Sequence, residues 1–591
     1  MCGIAGMMTV DGSPPESGIL DRLSSALLHR GPDGQGRHVS GNVGLVQTRL
    51  AIIDLETGDQ PLYAPGNKET AVAALIANGE IYNYVELKQE MAATDFATGS
   101  DCEPPLHLYL RYGPDFVERL RGMYAIAIHD MSVGRLVLTR DPFGIKPLYF
   151  AETERGFVFA SEAQAILRAG VLTTELKDEK RGELLQLQFT TGRDTVFQGI
   201  QRVLPGETLI VEAGRIISRS RREALPEGER LTTEETAALG ALDDALTDSV
   251  GVHQRSDVPY GMFFSGGIDS SVLLAMMARL NERPVRALTA GFSGTGVHDE
   301  REHARAVAKE AGADHIEIDF SEQDFVDLLP ACAAAIDDPT ADYAILPTFK
   351  LAARAHEEGL KVVLSGEGGD ELFAGYGRYR HAARAWPMRK PMRRKGILQG
   401  LGVLRQEPEN WRAGIAAAER DADKAGRSAL QVAQAVDCAD WLPCDLLTKL
   451  DRCLMAHGVE GRVPFLDPVV AKAAYLLPDG LKIRKRRGKW LLRKWLETGL
   501  PAARAFEPKR GFTVPVGEWI AARSKALAPL VAAQPGIQEI CSSEAVVSLF
   551  SQIGKRQGKA QWTLLFYALW HQVHILGHSP QGNIADVLSS R

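Results

Sequence analysis

The chain of 591 residues predicts two α/β domains of different build. The first is an antiparallel sheet assembly with helices packed on its outside. The second is a doubly wound parallel sheet with a helical C-terminal extension. Three observations carry this. Residues up to 215 read as short strands rich in Val, Ile, Phe and Tyr, cut by Gly, Asp and Pro turns. Residues 216–236 are charged and nearly free of large apolar side chains, the composition of an inter-domain linker. From Tyr260 onward strands alternate with helices, the rhythm of βαβ units. The expected division is 2–215, a linker at 216–236, and 237–591.

In the first domain the clearest strands are Ala71–Ala77, Tyr124–His129, Arg135–Thr139, Pro147–Ala151 and Phe157–Ala160. Helical stretches fall near Ile19–Leu28 and Val85–Met91. In the second domain Thr233, followed by Glu234, Glu235 and an apolar run from Ala237, marks a helix start. Pro259–Phe264, Arg286–Phe292, His315–Phe320 and Lys361–Leu364 are the strands. Ser270–Leu280 and Glu300–Ala311 are helices between them, the latter closing at Gly312. Beyond about residue 380 the pattern is mostly helical, with no internal repeat.

Apolar residues make up 45% of the chain and charged residues 24%, ordinary for a soluble globular protein. A net charge of −7 argues against a dedicated nucleic-acid binder. No apolar run reaches the ~18 residues a membrane helix needs. The start of the chain has no basic segment ahead of an apolar core, so no secretory signal is expected. The expected location is cytoplasmic. Seven cysteines, scattered and odd in number, suit reduced thiols better than a disulfide framework. Cys438, Cys444, Cys453 and His457 invite a zinc reading. However, no CxxC pair occurs, and Cys453 and His457 lie in an apolar helical pattern, so buried structural thiols are expected.

The chemistry begins at Met1-Cys2-Gly3. With the initiator Met removed, Cys2 carries a thiol and a free α-amine on one residue. Such an amine titrates near ~7.7–8.0 and can serve as base to the thiol, so no His partner is required. A second center lies at Phe263-Phe264-Ser265-Gly266-Gly267-Ile268-Asp269-Ser270-Ser271, after an apolar strand and opening a helix. Two glycines allow a sharp turn and close backbone approach, and a helix N-terminus offers free N–H groups to an anion. Asp269 is acidic where an anion would not want it, unless it holds a divalent cation. The string is neither a Walker-type nor a GxGxxG loop. Ser365-Gly366-Glu367-Gly368-Gly369-Asp370-Glu371 follows the fourth strand, and in an open parallel sheet both strings would meet at the strands' C-terminal edge. Its acids are candidates for a Mg²⁺ ligand and for a catalytic or substrate-contacting carboxylate.

Taken together these motifs resemble the glutamine-dependent asparagine synthetase family, from Cys2 to about Trp570. The first half resembles class II amidotransferases, which implies an αββα N-terminal-nucleophile sandwich. The second resembles the ATP-pyrophosphatase type. His29-Arg30-Gly31-Pro32-Asp33 matches the HRGPD segment, and Arg49-Leu50-Ala51-Ile52-Ile53-Asp54 the RLxIxD segment. The resemblance implies that Arg49, with Ile52 and Ile53, binds glutamine, Arg49 holding its α-carboxylate. Asn78-Gly79-Glu80-Ile81-Tyr82-Asn83 matches NGEIYN. Asn78 and the Gly79 N–H would form the oxyanion hole, and Glu80 and Asp101 would meet the substrate ammonium. Arg140-Asp141-Pro142-Phe143-Gly144-Ile145-Lys146-Pro147-Leu148-Tyr149 matches RDxxGxKPLY, read as scaffold near the domain interface. In the second half Phe263, Ser265, Gly266, Gly267, Asp269, Ser270, Ala290, Ser365 and Gly366 would bind ATP, and Asp269 and Asp370 would hold Mg²⁺. Glu367 would act in acyl-adenylate and amide formation. Glu460-Gly461-Arg462-Val463-Pro464-Phe465-Leu466-Asp467 matches ExRxPFLD, and Lys489 occupies the lysine position of KxxLR, which implies a catalytic cation. The implied activity is amide synthesis by an ATP-dependent ligase with glutamine as nitrogen donor. Glutamine, aspartate and ATP are the implied small-molecule partners, with a homodimer left open. The motifs fix donor and nucleotide. The acceptor is expected to be aspartate, with a peptide-like osmolyte precursor, sugar acid or natural-product intermediate as the alternative.

Overall fold

The computed structural model describes residues 2–228, 234–293, 301–384, 390–507 and 514–590. Thr233 and Glu300, both expected at helix starts, lie outside them. The first domain contains β1 (Gly3–Thr9), β2 (Gly34–Ser40), β3 (Val43–Arg49), β4 (Leu62–Ala64), β5 (Ala73–Ile81), β6 (Gly122–Asp130), β7 (Arg135–Arg140), β8 (Tyr149–Thr153), β9 (Gly156–Ala160), β10 (Gln201–Arg202), β11 (Glu207–Glu212) and β12 (Arg215–Arg221). They form two antiparallel sheets, ordered β10-β8-β9-β1-β3-β2 and β12-β11-β7-β6-β5-β4. Period-two alternation sorts the side chains into layers. Ile4 and Met8 of β1 meet Ile76 of β5 and Ala125 of β6 between the sheets. Leu75, Ala77 and Ile126 face outward under the helix Glu103–Tyr112. Ala5 and Met7 face the opposite way, under the helix Ser17–Ala26. The arrangement is therefore an αββα sandwich.

Two expectations change here. The charged stretch after residue 215 is not linker throughout, because β12 pairs with β11 up to Arg221. It reads as linker because it is an exposed edge strand, where charge guards against pairing with other chains. The helix Glu103–Tyr112 is additional to the two expected; Pro104 and Pro105 stand in its first turn, where missing N–H groups cost nothing.

The second domain holds β13 (Tyr260–Phe263), β14 (Arg286–Gly291), β15 (Asp314–Asp319), β16 (Val362–Leu364) and β17 (Glu460–Arg462), all parallel, in the order β15-β14-β13-β16-β17. The strand order reverses between β13 and β16, which places a ligand crevice at their C-terminal ends. The fifth strand, β17, lies within a region whose pattern reads as helical. Among the described residues no helix is long and apolar enough to cross a membrane. One apolar cluster runs through both domains, with Leu50, Met123 and Ile145 on one side and Leu450, Val463 and Leu466 on the other. Buried ion pairs tie the domains further. Arg30 grips Asp451 through two bonds, 2.8 and 2.9 Å, and Arg202 grips Asp338 through two at 2.7 Å. The RDxxGxKPLY segment does lie at this interface, since Tyr149 Oη donates to Asp338 at 2.9 Å.

Candidate active sites

Cys2 is buried directly ahead of β1, between β3 and β9. Its N–H donates to Asn78 Oδ1 at 3.1 Å. That bond fixes the amide of Asn78 and leaves Nδ2 buried with no partner among the described residues. Asn78 and Glu80 share one face of β5, so both belong to the space between the sheets. At Gly79 an added Cβ would meet the Met123 carbonyl oxygen at 2.1 Å, so β5 can run this close to β6 only without a side chain. Burial pushes the Cys2 thiol up, and the Leu50 N–H, Gln47 and Arg49 draw it back.

Arg49 is anchored by Asp59 at 2.7 Å and by the Asp54 carbonyl at 2.5 Å. Ile53 contributes its carbonyl to the same guanidinium at 3.5 Å, whereas the Ile52 carbonyl accepts from Asp257 N–H of the second domain. Asp101 accepts the Ile81 N–H at 2.8 Å. Burial raises the carboxyls of both Asp101 and Glu80, and Asp101 pushes Glu80 further. Arg462 stands 3.1 Å from Glu80 Oε1, an ion pair without hydrogen-bond geometry.

The second site is a cavity of about 360 Å³ at the β13/β16 edge. Phe263, Ser265, Gly267, Asp269 and Ser270 line it from the first loop, Ala290 from β14, and Ser365, Gly366, Glu367 and Asp370 from the second loop. Gly266 supplies the left-handed turn, φ +70°, ahead of the helix Ile268–Leu280 and does not itself line the cavity. Lys489 starts the helix Trp490–Gly499 and brings its ammonium to Asp269 Oδ2 and, at 2.6 Å, to Asp370 Oδ1. Burial opposes that charge, and the two carboxylates overcome it and hold the lysine above its usual value. Thus the structure gathers these residues from four separate segments.

Lys449 also lines this cavity, and the motifs do not single it out. It is buried, 3.6 Å from Glu367 and 3.2 Å from Asp342. The available signal is charge inside an apolar helix, since Lys449, Asp451 and Arg452 punctuate Leu447–Met455. The cysteines are all free and buried; Cys453 Sγ lies 3.6 Å from the Ile345 carbonyl, and His457 packs edge-on against Phe349.

A buried cysteine at position 2 of a two-sheet sandwich, joined to a glycine-loop cavity on a parallel sheet, defines a glutamine amidotransferase fused to a ligase. Residues 1–221 match the family model described as a glutamine amidotransferase domain, and residues 241–572 match that of asparagine synthase. The chain belongs to the asparagine synthase family. It is 31% identical to the glutamine-hydrolyzing asparagine synthetase 1 of Bacillus subtilis, over 98% of this chain and 99% of that one. It is 30% identical to the glutamine-hydrolyzing asparagine synthetase B of Escherichia coli, over 88% and 83%. Among solved structures, a glutamine phosphoribosylpyrophosphate amidotransferase from B. subtilis covers 54% of this chain and 81% of its own, with 17% identity and a TM-score of 0.29. The fold rests on the strand pairing above and not on that overlay.

Proposed function

We propose that the chain makes asparagine, with glutamine as nitrogen donor and aspartate, activated by ATP, as acceptor. The observation that carries this is Asn78: its oxygen is held by Cys2 N–H and its buried Nδ2 is left unpartnered beside the nucleophile. A donor fixed in this way suits an oxyanion that forms only during reaction. With Cys2 as the terminal residue, the thiolate attacks the glutamine side-chain amide. The C–N bond breaks as ammonia leaves with a proton from the α-amine, and water then cleaves the thioester to glutamate. Arg49 would exchange the exposed Asp59 for the substrate α-carboxylate. Glu80 and Asp101, raised by burial, are suited to recover their charge against its ammonium.

At the second site the aspartate side-chain carboxylate would attack the α-phosphorus of ATP and release pyrophosphate. Ammonia then adds to the acyl carbon, the C–O bond to AMP breaks, and Glu367 takes the proton. Burial raises the Glu367 carboxyl, which favours such a role. Asp269 and Asp370 are hard oxygen donors, and magnesium commonly binds through one or two carboxylates plus substrate phosphates, so the pair fits. When bound, Mg²⁺ would neutralise charge on the pyrophosphate. The apolar cluster from Met123 to Leu450, which itself lines the second cavity, offers ammonia a dry route between sites.

The test is purified protein with glutamine, ATP, Mg²⁺ and a panel of acids, assayed for amide, AMP and pyrophosphate. Asparagine from aspartate is the expected product. AMP release only with a different acid would sink the assignment of the acceptor. Cys2→Ala is expected to lose glutamine use and keep synthesis from added ammonium; loss of both would contradict the division into two sites.

A further inference from the structure

Cys2 has a second carboxamide beside it that the reaction described above does not use. Gln47 lies on β3, opposite Ile4 of β1 on one side and Gly36 of β2 on the other. Period-two alternation puts residues 43, 45, 47 and 49 on one face of β3, and Val43 and Leu45 turn that face to the space between the sheets. Ile4 faces the same space, and so therefore does Cys2, two residues earlier. Gln47 and Cys2 are thus diagonal neighbours, a spacing that a long side chain spans. The residues directly opposite Gln47 offer it nothing polar, since Ile4 is apolar and Gly36 has no side chain.

Gln47 is 1% exposed, and neither Nε2 nor Oε1 has a hydrogen-bond partner among the described residues. A primary amide buried with both ends unmet costs stability that an apolar side chain of the same shape would not. Asn78 Nδ2, from the facing sheet, is likewise unmet beside Cys2. Burial pushes the Cys2 thiol up, and Gln47 is among the groups that draw it back, although no hydrogen bond is closed between them. The titratable groups around Cys2 are Arg49 on β3, Arg30, whose Nε donates to the Cys2 carbonyl at 3.3 Å, Glu80 on β5, and Asp101 with Cys102 ahead of the helix Glu103–Tyr112. β9 brings none.

We propose that Gln47 is a further catalytic residue of the glutaminase site, its Nε2 donating to the Cys2 sulfur whenever that sulfur is anionic. This rests on the proposed hydrolysis of glutamine. The thiol proton passes to the α-amine, and the amide N–H binds the thiolate left behind more strongly than it binds a thiol. As the S–C bond forms and the C–N bond breaks, charge leaves the sulfur and the α-amine gives its proton to ammonia. When water cleaves the thioester the S–C bond breaks and the charge returns, so one N–H assists both halves of the reaction. No proton passes through Gln47.

The experiment follows alkylation of Cys2 by a chloroketone analogue of glutamine against pH, for wild type, Gln47→Leu and Gln47→His. Mass spectrometry locates the adduct and checks that Met1 has been removed. Gln47→Leu should move the midpoint of the profile up by about one to two pH units and cut the rate at neutral pH by roughly 10–100-fold, the scale of a hydrogen bond to a charged group. Glutamine hydrolysis should lose a similar factor in kcat with KM nearly unchanged. The Tm should hold or rise, because an apolar side chain replaces an unmet amide. Gln47→His keeps an N–H donor and should return midpoint and kcat toward wild type. If Gln47→Leu does not fold, Gln47→Met takes its place. An unchanged profile in the apolar variant overturns the proposal, as does a uniform loss at every pH with a lowered Tm, or a histidine variant no better than the leucine one. If wild type leaves glutamine intact while the apolar variant still shifts the profile, the glutaminase reading fails and the contact between Gln47 and Cys2 stands.

Discussion

Arg462 touches both candidate active sites at once: its guanidinium stands 3.1 Å from Glu80 of the first domain, and its carbonyl accepts the N–H of Ser365, the first residue of the second site's loop. The same side chain binds Glu460 at 2.6 Å and donates to the carbonyls of His253 and Arg255 at 2.9 and 2.6 Å. β17 and β16 are hydrogen-bonded neighbours, and β16 ends where Glu367 begins its approach. A residue buried to this degree, with partners in both domains, holds the two sites in fixed relation.

Removing that guanidinium takes a cation away from two buried carboxylates, Glu80 and Glu460. Breaking a buried pair in this way typically costs about 3–5 kcal/mol. Arg462→Met is expected to lower the urea midpoint accordingly and to reduce glutamine hydrolysis together with amide synthesis. Loss of synthesis alone, with glutaminase intact, would show that Arg462 serves only the second domain.

Glu460 makes the same network sensitive to acid. Burial works against its charge, and Arg462 and Lys146 among the surrounding cations overcome it, holding it at about 2. The unfolded glutamate binds its proton near the ordinary ~4.3, so unfolding takes up a proton between those values. The stabilisation is therefore complete above the ordinary value and is lost as pH falls toward 2. Glu460→Gln should be less stable than wild type at neutral pH, with the difference shrinking on acidification below pH ~4. Denaturation midpoints measured from pH 7 to 3 test this; a difference that stays constant with pH would rule it out.

For Asn78→Ala the expected loss is kinetic. Deleting one oxyanion donor commonly costs 10²–10³-fold in kcat. Glutamine hydrolysis should fall by about that factor with little change in KM, since in the proposed reaction Nδ2 acts on charge that develops in the transition state. Synthesis from added ammonium should persist. A rise in KM at constant kcat would instead mark Asn78 as a substrate-positioning residue.

How far the chain can be read depends on whether chemistry sits in one contiguous string. The loop Ser265–Ser270 is legible because strand, glycine turn and helix follow one another, and the structure returns that order with Gly266 at φ +70°. Asn78 and Glu80 are legible through a motif, although the expected strand Ala71–Ala77 stops short of them and β5 in fact contains both. β17 is three residues long, too short for alternation to show, and its Arg462 is buried against Glu80 and the His253 carbonyl, both far away in sequence. Lys489 reaches Asp269 across 220 residues, so only the resemblance points to it. Lys449 belongs to no motif string, and its partners Asp342 and Glu367 lie far away in sequence, so the contact that gives it a place in the site exists only once the chain has folded.

Lys489 supplies the sharpest test of the second site. Its ammonium touches Asp269 and lies 2.6 Å from Asp370, so it occupies the position between the two carboxylates that a divalent cation would contest. A unit charge at ~4 Å from a divalent cation weighs several kcal/mol even at an effective dielectric of ~20. Lys489→Met removes that competitor and the ammonium charge it places between the two acids. In the absence of nucleotide, Mn²⁺ should therefore bind the variant at least about tenfold more tightly than wild type, seen by calorimetry and as a larger Mn²⁺-induced rise in Tm. Catalysis should move the opposite way. With the lysine gone, charge on the phosphorus center and leaving pyrophosphate loses a fixed cation, and ATP–pyrophosphate exchange should fall by about 10²–10³-fold. Tighter Mn²⁺ binding with weakened exchange separates the lysine's catalytic role from simple assembly of the metal site. If the variant instead binds Mn²⁺ no better than wild type, Asp269 and Asp370 do not form the metal pair.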